Sequence, residues 1–285
     1  MSDIKLAVNW LNESEYLVKH GEIDVDYFKF PSLGCQMSLA DNIDEFTQIC
    51  GRITALKPIL LHGLYPCAHD LADKSMAKKF DKPLADKMIS AAKTPGLSFH
   101  PTLHNIDIAD RECIGIVCEN IRFFQRVYGD MDFISIENVD GKRGRFGILD
   151  SPDILSEIVR KTDCDFLLDI SHAYCCSVYM GMNVYDYLNS LPLEKTYEIH
   201  INGWHEKNGD IMPHIKANEK AYEILEWTLS RCKPKIITIE YGRASDRMNL
   251  GVPLVSNDSM NERAMSEIIE QVNRIMSIIG KNARN

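Results

Sequence analysis

Five short apolar runs in this chain each end on a side chain that can bind a metal ion. They are PILLHG (His62), LSFHPTLH (His100 and His104), FISIEN (Glu137 and Asn138), FLLDISH (Asp169 and His172) and YEIHING (His200). His205, His214 and the Glu240 of IITIEY add further candidate donors. A divalent cation is held by anionic oxygens and neutral imidazoles converging from separate parts of a chain, and a ring of strand ends supplies them. The pattern predicts a multinuclear metal site, and with it an enzyme.

A single histidine at a strand end is more often a hydrogen-bonded structural residue than a ligand. Here eight of the nine histidines fall between residues 62 and 214, and several close a predicted strand. Glu137 and Asp169 follow strongly apolar runs, so each carboxylate would sit at a low-dielectric core and be costly without a cation. A buried arginine could supply that cation from a loop, through Arg143, Arg145 or Arg243, but no arginine ends a neighbouring strand. Metal is therefore the preferred counter-charge. The Asp169–His172 spacing lets a strand-end carboxylate and a loop imidazole address neighbouring ions, with Glu137 bridging two of them through its separate oxygens. His20, His69 and Cys232 read as structural or exposed.

The elements that must position these residues alternate. Strands are predicted at 4–10, 26–30, 58–62, 97–101, 133–137, 165–170, 196–201 and 235–240. Amphipathic stretches such as IDEFTQICGRI, ECIGIVCENIRFFQRVYG, SPDILSEIVRK and AYEILEWTLSRC lie between them, the third opening on Ser151 as cap and Pro152 in the first turn. A closing helix is expected from Asn261 to Gly280, with Met265, Ile268, Ile269, Val272 and Ile275 on its apolar face. Eight strand-helix units close into a parallel (β/α)8 barrel, whose enzymes build their sites at the C-terminal ends of the strands. An open doubly wound sheet is the rival, but no glycine-rich phosphate loop follows the first strand. No linker or low-complexity segment divides the chain, so residues 1–285 are expected to form a single TIM-barrel domain with the metal site at its C-terminal mouth.

Composition sets outer limits. The 285 residues suit one barrel, and a net charge of −9 disfavours a broad nucleic-acid footprint. The KRGR of Lys142–Arg145 could touch phosphates, but four basic residues in a glycine-rich loop are more often merely solvated. Nine irregularly spaced cysteines point to reduced thiols, and no apolar run is long enough to span a membrane. A cytoplasmic protein is expected.

The order and spacing of His62, His100, Glu137, Asp169, His172, His200, His214 and Glu240 resemble the xylose-isomerase-like superfamily of barrels, which includes endonuclease IV and sugar isomerases. From about residue 58 to 242 a closer resemblance runs to the multinuclear non-heme iron-dependent oxidases that include the methanobactin-biosynthesis oxidase. Its carriers are the HG of His62–Gly63, the SFH of Ser98–His100, the ENV of Glu137–Val139, LLDISHAYCCS, the YL of Tyr187–Leu188, the LP of Leu191–Pro192 and EIHING. One departure stands out: the Asp-x-His of both groups is Met212-Pro213-His214 here, which bears on a third metal site.

That resemblance implies two or three ions, with iron preferred over zinc or manganese, and an O2-dependent reaction at a cysteine of a ribosomally made peptide. The eight residues above are the expected ligands, and Asp169, His172 and His214 are expected to carry the catalysis. Lys29, Asn138, Arg143, His104 and His205 are candidate substrate contacts. A small peptide is the expected partner, presented in some members by a recruiting protein; neither membrane nor nucleic acid is expected. The alternatives are an endonuclease IV-like zinc phosphodiesterase and a metal-dependent sugar isomerase or epimerase with Lys29 as a polar partner. A non-catalytic binding protein is a further option, opposed by the full ring of ligands.

Overall fold

In the computed structural model, which describes residues 4–30, 43–68, 70–101, 110–141, 147–242 and 260–282, eight parallel strands close into a barrel. Seven come in succession: β1 (Lys5–Asn9), β2 (Tyr27–Lys29), β3 (Ile59–His62), β4 (Gly96–Phe99), β5 (Phe133–Glu137), β6 (Asp165–Asp169) and β7 (Thr196–Ile201). An antiparallel hairpin of β8 (Gly203–Lys207) and β9 (Asp210–Ile215) precedes the last barrel strand, β10 (Ile236–Ile239). Each strand pairs with its chain neighbour, and β10 closes the ring between β7 and β1. The eight predicted strands are therefore the eight of the barrel, a xylose-isomerase-like (β/α)8 fold. Strands buried on both faces read as near-continuous apolar runs, and that continuity is what made them visible.

The helices lie where the amphipathic stretches are. Ile43–Thr54, Asp110–Val127, Pro152–Thr162 and Glu219–Leu229 join the strands, and Glu262–Asn282 closes the chain with Ile268, Val272 and Ile275 buried. Ser151 does occupy the N-cap ahead of Pro152, but its hydroxyl makes no capping hydrogen bond. The fixed φ of proline at the first helical position organises that start. No helix among the described residues is long and apolar enough to cross a membrane. The eight described cysteines are buried.

The barrel interior is layered. At the floor, Ala7, Leu60, Phe133 and Ile236 form an apolar cluster, with Tyr197 stacked on Phe133 at 4.5 Å between ring centroids. Gly96 is required beside it, since a Cβ there would lie 2.4 Å from the Phe133 ring. Further along the strands comes a buried polar layer of Lys29, Ser98, Glu198 and Thr238. Above it stand the candidate ligands. Period-two alternation builds this order: Phe133, Ser135, Glu137 on β5, and Ile236, Thr238, Glu240 along β10 and just past it.

The hairpin is the element the sequence reading missed. Asn208 and Gly209, both at positive φ (55° and 84°), form its tight turn. An Asn-Gly pair between strands is a strong hairpin signal, so a legible marker was present at these two residues.

Candidate metal centre

His62, Glu137 and Asp169 are the last residues of β3, β5 and β6, and His200 is the penultimate residue of β7. His100 and Glu240 lie one residue beyond β4 and β10. These six converge. One donor atom each from Glu137, Asp169, His200 and Glu240 lies within 4.8 Å of the others, as do donors from His62, His100 and Glu137, and from His62, His200 and Glu240.

Glu137 joins the groups. Its Oε2 lies 2.7 Å from His62 Nε2 and 3.4 Å from His100 Nε2, while Oε1 lies 3.4 Å from His200 Nδ1 and 3.5 Å from His172 Nδ1. Each oxygen thus faces its own pair of imidazoles. Neither has a hydrogen-bond partner among the described residues, nor has His200 Nδ1, although all three are fully buried. Buried polar atoms are otherwise almost always paired. Unpaired carboxylate and imidazole lone pairs aimed at shared points fit metal ions, and the absence of thiols from the set suits first-row divalent metals.

Asp169 is fixed before any ion binds. It caps the helix Ile170–Tyr179: Oδ1 accepts from the His172 N–H (2.8 Å) and the Ser171 hydroxyl (2.7 Å). Its Oδ2 accepts from Asn202 Nδ2 at 3.1 Å and faces His200 Nδ1 at 3.9 Å. His172 is oriented in turn, since its Nδ1 lies 2.8 Å from the Asn138 carbonyl oxygen.

The hairpin returns His214 to the mouth, with Nδ1 3.4 Å from Glu240 Oε2. His214 holds a left-handed φ of 67°, fixed by its N–H donating to Asn202 Oδ1 (2.9 Å) and its carbonyl accepting from Gly242 N (3.0 Å). His172 and His214 sit 6.0 Å apart between ring centroids, but complete none of the close donor groups among the described residues. Met212 stands two residues before His214 on β9, so no carboxylate joins this pair from that position.

Burial and charge oppose each other here. Burial disfavours the Glu137 carboxylate, but His100, His62 and His200 outweigh it and hold its pKa well below the usual range. Burial pushes His100 down to about 3, against the pull of Glu137. For His172 burial is overcome by Asp169 and Glu137, which raise it to about 9. His200 and His214 are likewise raised, Glu240 being the largest influence against burial for both. Asp169 is raised by burial first, with Glu240 and Glu137 adding to it against His172. Without metal, protons on imidazoles balance the carboxylates.

Of the candidate substrate contacts, Lys29, Asn138 and His205 lie among the described residues. Lys29 is wholly buried and bonded to Glu198 and Ser98, so it has no free donor for a substrate. Asn138 spans the Asp169 backbone, donating to its carbonyl (2.9 Å) and accepting from its N–H (2.8 Å). Its amide is thus used to hold Asp169. His205 is exposed on the hairpin and belongs to none of the close donor groups among the described residues. His104 and Arg143 lie outside the described residues.

Asn202, Ser98, Glu198 and Thr238 are the residues that sequence reasoning missed. Their signal was positional: Ser98, Glu198 and Thr238 lie two residues before His100, His200 and Glu240, so they share the inward face of an otherwise apolar strand.

Residues 74–249 match the sequence profile of the RiPP precursor modification enzymes MbnB/TglH/ChrH. The chain belongs to this family. Seven of the eight expected ligands fall within the matched stretch, and His62 lies just before it.

 They are His100, Glu137, Asp169, His200 and Glu240 at or just past the barrel strand ends, His172 in the helix that follows Asp169, and His214 on the hairpin. A UPF0276 protein of Bordetella pertussis is 30% identical over 142 residues, 47% of this chain and 48% of its own. The chain thus spans about half the length of the curated relatives it matches first. Among solved structures, a xylose isomerase domain protein from Alicyclobacillus acidocaldarius aligns with a TM-score of 0.61 at 13% identity, over 98% of this chain and 99% of that one. Endonuclease IV from Thermus thermophilus aligns with a TM-score of 0.52 at 14% identity, over 96% and 99%. At such identities these two likenesses speak for the fold alone.

Proposed function

We propose that this protein oxidatively modifies a cysteine of a ribosomally made peptide, in an O2-dependent reaction at a centre of two or three iron ions. The observation that carries this reading is Glu137, whose two unpaired buried oxygens face separate pairs of imidazoles. A carboxylate placed this way can be shared between ions, and family membership supplies the substrate class. Iron held there would supply electrons for O2 reduction and Lewis acidity toward the substrate sulfur.

The eight expected ligands are His62, His100, Glu137, Asp169, His172, His200, His214 and Glu240. Asp169, held by the helix start and Asn202, keeps a fixed carboxylate at the centre of the group. His172 and His214 stand on the open side and have no carboxylate from position 212 beside them. We assign them to the substrate-facing position, where a peptide thiolate would bring the missing negative charge. The peptide enters from the C-terminal mouth, alone or presented by a recruiting protein. Nine irregularly spaced cysteines support a reducing, cytoplasmic setting.

The test is anaerobic loading with Fe(II), addition of a cysteine-containing precursor peptide, and exposure to O2. Oxygen uptake with a mass change at the cysteine is the expected result. Cleavage of abasic-site DNA by zinc-loaded protein, with no oxygen uptake in any iron-loaded state, would replace the oxidase by a phosphodiesterase.

A further inference from the structure

Beneath the ligands, the barrel holds a buried cation that joins two of them. Lys29 Nζ lies 2.8 and 2.9 Å from the two Glu198 oxygens and 3.0 Å from Ser98 Oγ. Glu198 Oε1 lies 3.1 Å from His200 Nε2, and Ser98 Oγ lies 3.0 Å from His62 Nδ1. Lys29, Ser98, Glu198 and His200 are all 0% exposed. We propose that Lys29 is a positioning residue for the whole centre: through Ser98 and Glu198 it fixes His62 and His200 in opposite tautomers, so that His62 binds metal through Nε2 and His200 through Nδ1.

Proton accounting leads there. An ammonium has three N–H groups and no lone pair, and these three contacts use all of them. Ser98 Oγ therefore accepts from Lys29. Its own proton has an acceptor in the Leu61 carbonyl at 3.4 Å. His62 Nδ1 faces two oxygens, Ser98 Oγ and, at 3.3 Å, the Ser98 carbonyl, which can only accept. With metal bound, Nδ1 is then the protonated nitrogen, and Nε2, 2.7 Å from Glu137 Oε2, is the one left for the ion.

His200 is fixed the other way round. An ionised carboxylate only accepts, so Nε2 carries the proton toward Glu198. Thr238 Oγ1 donates to the same Glu198 oxygen at 2.6 Å and keeps it in place. The lone pair is left on Nδ1, which has no hydrogen-bond partner among the described residues and lies 3.4 Å from both Glu137 and Glu240. Partners of this kind raise metal affinity by fixing ring orientation and tautomer, and their removal costs about 10–100-fold.

The inference rests on reading the cluster as a metal centre and is independent of the oxidation. Its test uses zinc, which is diamagnetic and inert to O2. Protein labelled with 15N-histidine and loaded with Zn(II) is analysed by long-range 1H–15N correlation, which tells Nδ1-bound from Nε2-bound imidazole. His62 is expected to show the Nε2 pattern and His200 the Nδ1 pattern. Lys29→Met alone would leave Glu198 as an unpaired buried charge, so the main variant is the neutral Lys29→Met/Glu198→Gln. A fall of about 10–100-fold in zinc affinity is expected there, with the His62 pattern altered. Ser98→Ala, a smaller change, should weaken only the ion held by His62. The proposal is overturned if both histidines bind through the same nitrogen, or if the double variant and Ser98→Ala keep wild-type affinity and wild-type patterns. Wild-type protein that takes up neither zinc nor iron would overturn the metal centre, and this proposal with it.

Discussion

At the scale of single residues, the site is governed by how few of its lone pairs are used within the protein. Glu137 is the extreme case, with both oxygens unpaired in a wholly buried position. Glu137→Gln removes a negative charge from between two candidate ion positions, and metal per chain should fall, with affinity reduced at least about tenfold. Elemental analysis after dialysis against dilute metal decides this; full metal content would remove Glu137 from its shared position. His172 sets a pH dependence. Its pKa of about 9 in the fold exceeds the 6.5 of a free imidazole. In the metal-free protein its stabilising contribution is therefore full below about pH 6.5 and lost as pH rises through about 9. An ion that binds there must expel the proton, so metal affinity should rise across the same window. Calorimetric titration in buffers of different ionisation enthalpy should show protons released below pH 9. Among these residues the candidate ligands were legible because carboxylates and imidazoles at the ends of apolar runs are conspicuous. Asn202 was not, since an asparagine in a loop carries no mark of the three partners it joins.

At the scale of elements, the barrel strands and the hairpin contrast. The strands were legible because burial on both faces imposes unbroken apolar runs, and their ends then located His62, Glu137 and Asp169. The hairpin GWHEKNGDIMPHI has no such run, with one face open to solvent, and only its Asn-Gly turn announces it. Lys29 shows a different limit. Sequence placed it at a strand end, but its pairing with Glu198 on β7 joins residues that are far apart in the chain. Gly203 is where the hairpin leaves the barrel, and a Cβ there would lie 1.9 Å from the Lys216 carbonyl oxygen. Gly203→Ala should therefore force the two hairpin arms apart and cost about 1–3 kcal/mol. Because β9 carries His214, metal content should fall in the same variant. Denaturant unfolding and elemental analysis together test this, and an unchanged midpoint with unchanged metal would mean that the arms separate freely.

For the whole molecule, stability and metal occupancy are linked. Glu137, Asp169 and Glu240 are buried together, and Lys29 is already engaged by Glu198. Ions binding the folded barrel and not the unfolded chain would contribute about 4 kcal/mol at a thousandfold excess over Kd, on the order of 10 °C in Tm for a protein of this size. Chelator should lower the melting temperature by that amount, and restored metal should recover it. A melting curve indifferent to chelator at neutral pH would mean that imidazolium protons suffice as counter-charge.

The apolar floor of Ala7, Leu60, Phe133 and Ile236 has a consequence for traffic. With Tyr197 stacked on Phe133 and Gly96 pressed against the same ring, side chains fill the barrel at that end among the described residues. A chain-like substrate cannot thread through it. If the substrate is a peptide, as proposed, it would dip in as a loop or a terminus and leave by the end it entered, so that one peptide would have to leave before the next could enter.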